Sequence, residues 1–140
     1  MKLRPFLFAI CIFCDSAPAI AQSMNHSNVD VSAGASVRLG YYGAAGKACS
    51  SEPPPKIDVV TPPKHGDISI RTGSLATNRL PSCPNLTLPV EIVFYSARPG
   101  YAGSDLVIFK VKSALGTESA WTYSIDVKQP SQIAPQFNRL

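Results

Sequence analysis

The sequence predicts an all-β protein, a two-sheet β-sandwich of about seven strands pinned by one disulfide. Prolines and glycines divide the chain into short runs rich in β-branched and aromatic residues, which is typical of strands. No window carries the apolar spacing of an amphipathic helix. A closed barrel is the alternative, but irregular loop lengths and a single cysteine pair favour two open sheets.

The first 21 residues have the features of a bacterial secretory signal peptide. Lys2 and Arg4 give a positive start, an apolar run follows at 6–13, and Ala19-Ile20-Ala21 supplies the small-x-small pattern of a cleavage site. The apolar run is shorter than the roughly 20 residues that span a bilayer. We therefore expect residues 1–21 to be removed, no membrane span in the mature chain, and a periplasmic or secreted location.

Cleavage after residue 21 would leave two of the four cysteines in the mature chain. Cys11 and Cys14 would leave with the signal, and an even pair in an exported domain indicates one disulfide, between Cys49 and Cys83. The alternative, two metal-binding thiolates, needs further ligands, and the two histidines lie in separate segments.

The mature chain divides into a domain at 22–128 and a polar, proline-broken tail at 129–140 that we expect to be loose. Loss of Lys2, Arg4 and Asp15 with the signal changes the formal net charge from +4 to +3. The basic residues are dispersed along the chain and form no run or stripe. Nucleic acid is therefore not expected as a partner.

Alternating apolar and polar residues place the strands of the first half of the domain. The predicted strands are 28–33, 36–42, a strand through Ile57 and Val59 that ends at Pro62-Pro63, and 67–71 with Ile68 and Ile70 on one face. A loop through Cys49 and a triple proline precedes the third strand. His65 and Gly66 make the turn into the fourth.

The second half begins with residues 72–89, predicted as a long irregular stretch that contains Cys83. Residues 90–95 are apolar apart from Glu91, so periodicity leaves the inward face of that strand open. The last two strands are 105–112 and 120–128, joined by a hairpin turn at 115–117. Their predicted inward residues are Val107, Phe109 and Val111 in one strand and Trp121, Tyr123, Ile125 and Val127 in the other.

The order of three motifs resembles the bacterial cadherin-like, or tandem immunoglobulin-like, repeats. The motifs are P-P-K-H-G-D-I-S-I at 62–70, V-F-Y-S-A-R-P-G-Y-A-G-S-D-L-V-I-F-K-V at 93–111, and Gly116 followed by an alternating last strand. The match covers about residues 57–128. It implies an immunoglobulin-like β-sandwich module of extracytoplasmic proteins, usually arranged in arrays and used for adhesion, spacing or ligand display; some relatives bind calcium.

The chain departs from this pattern in two ways that bear on function. Ser113 stands where the family often has an aspartate, which weakens a calcium site. Leu106 and Ile108 stand where the family alternates polar residues on the outer face of the strand. We therefore expect this outer face to be covered, either by the 72–89 stretch or by a partner.

The loop G-Y-A-G-S-D, residues 100–105, holds the remaining candidate residues. Gly100 and Gly103 are expected to give the chain positive φ where it turns. Tyr101 either contacts a ligand or packs under its own loop and bonds backbone, as a corner tyrosine does. Asp105 is expected to accept backbone hydrogen bonds at the turn, and calcium binding is the alternative role for its carboxylate.

The residue pattern does not indicate an enzyme. No G-x-S-x-G motif accompanies His65, which lies in a tight turn, and His26 is expected in a mobile amino-terminal segment. The function expected from the sequence is a non-enzymatic, exported module for protein interaction, adhesion or an envelope structure, without a cofactor. Its candidate contact residues are Leu106, Ile108 and Tyr101, and its expected partner is another envelope or extracellular protein. The alternative is a calcium- or glycan-binding secreted domain.

Overall fold

A computed structural model describes residues 23–130 of the chain, in seven strands. The strands are β1 (Ser23–Ser32), β2 (Ser36–Tyr42), β3 (Lys56–Thr61), β4 (Gly66–Thr77), β5 (Leu86–Ala97), β6 (Gly103–Lys112) and β7 (Glu118–Lys128). One 3₁₀ turn, Lys47–Cys49, lies between β2 and β3. The predicted signal peptide and most of the predicted tail lie outside the described residues. Within 23–130, no helix is long and apolar enough to cross a membrane.

The strands form two sheets, which confirms the predicted all-β sandwich. One sheet has the order β1-β7-β6-β3 and the other β2-β5-β4. These are the two sheets of an immunoglobulin-like sandwich, except that the first strand pairs with the last strand rather than with the second. That pairing, β1 with β7, is parallel, and the other strand pairs are antiparallel.

The core lies between the sheets and is built from the alternating inward positions of both. The predicted inward residues of β6 and β7 are buried, with the exception of Trp121, which is half-buried. In β5 the buried positions change parity between Val90 and Val93, which explains why periodicity left its inward face open. Two buried polar contacts join the sheets: the hydroxyls of Tyr42 and Tyr123 lie 2.7 Å apart, and the Tyr95 hydroxyl donates to Asp105 at 2.9 Å.

The prediction for residues 72–89 is wrong, because most of this stretch is strand. β4 continues to Thr77 and β5 begins at Leu86, so the loop spans only 78–85. Pro89 is tolerated because β2 pairs with β5 only as far as Glu91, so β5 has one neighbouring strand at Pro89. This hairpin belongs to the three-stranded sheet and does not cover Leu106 or Ile108.

The amino-terminal prediction also needs correction. His26 lies in β1, where it pairs with Thr122 of β7, and not in a mobile segment. The sequence S-M-N-H-S at 23–27 has no apolar alternation, so the parallel ladder with β7 extends this strand beyond the predicted start.

The predicted disulfide between Cys49 and Cys83 is present. It connects the β2–β3 loop with the β4–β5 loop and so closes one end of the sandwich. Cys49 is the last residue of the 3₁₀ turn and Cys83 lies in the 78–85 loop, so the link joins two segments outside the sheets. A link across 34 residues stabilises the fold by about 3–4 kcal/mol in the chain-entropy picture.

Candidate functional site

The outer face of the four-stranded sheet carries an apolar patch. Leu106 is 41% exposed and Ile108 is half-buried, and Val60, at the register shift of the neighbouring strand β3, is 56% exposed. Leu106 pairs with Ser124 of β7, and Ile108 pairs with Thr122 on one side and Thr61 on the other. We call Leu106 and Ile108 the outer patch.

A groove of about 630 Å³ opens beside Leu106. It lies between the β3–β4 connection and the beginning of β6. Its lining residues are Thr61, Pro62, Lys64, His65, Ser104, Asp105, Leu106 and Ser124. The groove therefore combines apolar walls with hydroxyl groups and one exposed ammonium group, that of Lys64.

The inner end of this groove is organised by the Asp105 carboxylate, which is only 7% exposed. Its Oδ1 accepts from the amides of Lys64 and Leu106, both at 2.9 Å. Its Oδ2 accepts from the amide of His65 at 2.8 Å and from the hydroxyl of Tyr95 at 2.9 Å. The expectation that Asp105 accepts backbone hydrogen bonds is confirmed.

These four donors set the electrostatics of the carboxylate. Burial alone raises the pKa of Asp105, but the hydrogen bonds outweigh burial, so its pKa lies below the ordinary value of an aspartate. Burial, followed by the bond to Asp105, raises the pKa of Tyr95 above its ordinary value. Asp105 is therefore charged and Tyr95 neutral at neutral pH.

Tyr101 braces the corner between β5 and β6. Its hydroxyl donates to the carbonyl oxygen of Ser104 at 2.8 Å. Its ring stacks on the imidazole of His65, with centroids 3.8 Å apart and planes 7° apart. Gly100 and Gly103 have φ of 80° and 139°, as expected for this turn. Tyr101 does not line the groove, but it holds His65, which does.

The structure thus gathers several sequence-predicted residues at one end of the sandwich. Asp105, Tyr101 and Leu106 lie together there, and Ile108 lies one outward position further along β6. The disulfide lies at the opposite end. The two oxygens of Asp105 each accept two hydrogen bonds, which uses the roughly four acceptor positions of a carboxylate. Within residues 23–130 no group of three or more His, Cys, Asp or Glu side chains could hold a metal ion.

A second cavity, which sequence reasoning missed, lies at the disulfide end. This cleft of about 460 Å³ lies between the beginning of the β2–β3 loop and the β6–β7 turn. Its aromatic wall consists of Tyr41, Tyr42 and Trp121, and the rings of Tyr42 and Trp121 meet edge to face at 5.1 Å. Inward parity indicated a core role for Trp121. The sequence signal for the cleft was the position of Trp121 near the start of the last strand, where the core ends.

Comparisons with known proteins assign this chain to no family. No protein-family model matches the sequence, and no curated protein is similar to it in sequence. Among solved structures, a 2,6-sialyltransferase from Photobacterium sp. JT-ISH-224, with CMP and lactose bound, is 14% identical with a TM-score of 0.37. That match covers 79% of this chain and 19% of the sialyltransferase chain. Amebosin is 8% identical with a TM-score of 0.41, over 76% of this chain and 98% of its own.

Proposed function

We propose that this chain is a non-catalytic, exported immunoglobulin-like module, of the cadherin-like kind, that binds another envelope or extracellular protein through the outer patch. The observation that carries the proposal is the exposure of Leu106 beside a groove, on a sheet face that is otherwise mainly polar. Exposed apolar residues gathered next to a concavity are typical of protein-binding surfaces. The partner would cover what the 72–89 hairpin leaves open.

The groove also indicates the chemistry of the partner. Leu106 and Pro62 would contact an apolar side chain, while the exposed ammonium group of Lys64 at the rim would attract a carboxylate. Ser104 and Ser124 add hydroxyl groups that can bond a peptide backbone. We therefore propose an extended protein segment that presents an apolar residue next to an acidic one.

Two observations support the non-catalytic and exported parts of the proposal. Asp105 is fully engaged by donors of its own chain, and the His65 ring lies flat on Tyr101, so both serve the corner geometry. Disulfides persist in oxidising compartments such as the periplasm or the extracellular medium, so the bond between Cys49 and Cys83 supports export.

The test is capture of a partner from envelope extract by mature protein, residues 22–140, carrying a photo-reactive amino acid at position 108. We expect one crosslinked protein for the wild type and loss of it for Leu106→Glu and Lys64→Glu. Leu115→Glu is the matched control, because Leu115 is 59% exposed and lies in the β6–β7 turn at the other end. Equal crosslinking by all variants, or none by the wild type, would contradict the proposal.

A second candidate function, glycan binding, is favoured by the cleft at the disulfide end. Its lining residues are all uncharged and combine the aromatic wall with the hydroxyls of Ser113, Thr117 and Ser119. Such a surface suits a neutral sugar, which stacks on aromatic rings and bonds to hydroxyl groups. Because Asp105 has no acceptor position left for a cation, we do not extend this candidate to calcium.

The glycan candidate can be tested by intrinsic fluorescence, because Trp121 is the single tryptophan of the chain. Saturable quenching by a neutral oligosaccharide, abolished in Tyr41→Ala, is the expected result. Leu106→Glu is the control and should titrate like the wild type. A fluorescence that no oligosaccharide of a varied panel changes would remove this function.

A further inference from the structure

Strand β4 is a long, unprotected sheet edge. It lies outermost in the β2-β5-β4 sheet and pairs with β5 over all of its 12 residues without a register shift. It contains no proline. On its other side, the alternate backbone N–H and C=O groups of the edge have no strand to pair with in the described chain, which makes such an edge a template for another strand.

The other sheet edges are less suited to pairing. β2 has a register shift between Arg38 and Gly40, and β3 has one between Val59 and Thr61, followed directly by two prolines. β1 is also regular, but it offers a second copy no pair of opposite free charges, because its only charged side chain, Asp30, is already bonded to Lys128. Bulges and prolines are devices that keep edges apart, and β4 lacks them.

The charges of β4 are complementary to those of a second copy of itself. In an antiparallel pair centred on Ser69, Asp67 lies opposite the partner's Arg71, and Arg71 lies opposite the partner's Asp67. Both side chains are exposed, and neither forms an ion pair within residues 23–130. Arg71 lies 5.4 Å over the ring of Phe94, which holds its guanidinium on the outward side of the sheet.

The apolar residues of β4 fit the same register. Ile68 lies opposite the partner's Ile70, so the pairing brings two isoleucine pairs together on the core side of the sheet. Ile70 is 39% exposed in the single chain and would be covered. Opposite charges on one face and apolar pairs on the other are the side-chain pairs that stabilise antiparallel strands.

We propose that this chain forms a two-fold homodimer in which the β4 edges pair antiparallel about Ser69 and merge the two three-stranded sheets into one of six strands. The same patch serves both copies, as closed two-fold association requires. The pairing region, Gly66–Thr72, belongs to the sheet opposite the outer patch. Each copy therefore keeps its own patch free, and the inference is independent of the proposed function.

A charge-reversal cycle on the mature protein tests the register. Sedimentation equilibrium should show a concentration-dependent dimer for the wild type. Arg71→Asp and Asp67→Arg, each alone, should raise the dissociation constant of the dimer by about tenfold or more, because two opposite-charge pairs become two like-charge pairs. The double variant should restore the dimer. Arg38→Asp is the matched control, since Arg38 also lies over a ring, that of Tyr41, but on the β2 edge.

A crosslinking experiment tests the two-fold centre without changing a charge. Opposite residues of antiparallel strands have Cα atoms about 4.5–5.5 Å apart, a separation that a disulfide spans. Ser69→Cys should therefore form a disulfide-linked dimer on mild oxidation, seen on a non-reducing gel. Ser74→Cys, on the same exposed edge but outside the pairing region, should remain a monomer.

Several results would overturn the proposal. A wild-type protein that sediments as a monomer at its highest soluble concentration excludes the dimer. A dimer that survives both single reversals, or that the double variant does not restore, excludes this register. Equal crosslinking of Ser69→Cys and Ser74→Cys excludes the centre. Circular dichroism shows whether each variant keeps the fold. If a charge variant is unfolded, the comparison of Ser69→Cys with Ser74→Cys tests the proposal instead.

Discussion

The Asp105 carboxylate joins three parts of the chain at one point. It binds the amides of the β3–β4 connection, the Tyr95 hydroxyl of the three-stranded sheet and the amide of Leu106 in its own strand. A buried charge that satisfies four donors holds both sheets at this end of the sandwich. Its bond to the amide of Leu106 also holds the backbone at the position from which the leucine side chain lines the groove.

Asp105→Asn is expected to destabilise the fold strongly. The amide group of asparagine would present two N–H donors where the site offers donors only, so some of the buried N–H and O–H groups would lose their acceptor. The free energy of unfolding should fall by about 2–4 kcal/mol. Urea unfolding measures this, with Asp126→Asn on an exposed position of β7 as the control. Equal, small effects of both substitutions would contradict this role of Asp105.

The lowered pKa of Asp105 also predicts a pH dependence. A carboxyl whose pKa is lower in the folded than in the unfolded state stabilises the fold fully above the ordinary aspartate pKa of about 3.9. That contribution is lost as the pH falls through the lowered value. The stability difference between the wild type and Asp105→Asn should therefore be constant near neutral pH and shrink below about pH 4. A difference that grows on acidification would reverse the assigned sign.

At the scale of elements, the connection from β3 to β4 depends on a glycine that allows close approach. Gly66 is buried, and a Cβ at this position would overlap the ring of Tyr95 and approach the carbonyl oxygen of Ser96 to 2.6 Å. Tyr95 is held in place by Asp105, so the ring cannot move aside without loss of that bond. The Gly66 position thereby links the start of β4 to the carboxylate at the groove.

Gly66→Ala should accordingly cost more than a substitution that only strains the backbone. We expect a loss of about 2–4 kcal/mol for Gly66→Ala, because overpacking displaces a buried ring and its hydrogen bond. Gly100→Ala is the matched control. Gly100 has φ of 80° with no atom within 4 Å of an added Cβ, so strain alone should cost about 1–2 kcal/mol. Chemical unfolding compares the two, and an equal or smaller cost for Gly66→Ala would disprove the close contact.

The elements that the sequence predicts well are those with simple alternation. β2 and the inward faces of β6 and β7 follow from period-two patterns, and the disulfide follows from the cysteine count. Periodicity failed for β4 and β5, because Gly73 and Pro89 look like strand breakers until the neighbouring strand is known. The backbone bonds of Asp105 were predictable from its turn. Its bond to Tyr95 was not, because that contact depends on how the two sheets pack.

At the scale of the molecule, the two ends of the sandwich have different tasks. The end with Asp105 and Tyr101 is held by hydrogen bonds and stacking and carries the groove. The other end is held by the disulfide and carries the aromatic cleft. The outer patch faces one side and the β4 edge belongs to the opposite sheet. A dimer through β4 would therefore present two outer patches, and a partner array with matching spacing would bind with avidity.

Loss of the disulfide should lower the stability of the whole fold but change the structure only at the end where it lies. Cys49→Ser/Cys83→Ser removes a link that acts mainly on the unfolded chain, so the free energy of unfolding should fall by about 3–4 kcal/mol. Urea unfolding of this variant and of reduced wild type should agree. Asp105 and the outer patch lie at the other end, so the partner binding that we propose for the outer patch should be the same for the folded variant and the wild type. Fluorescence of Trp121, beside the tethered β2–β3 loop, should change. Unchanged stability, or loss of binding while the fold persists, would contradict this separation of the two ends.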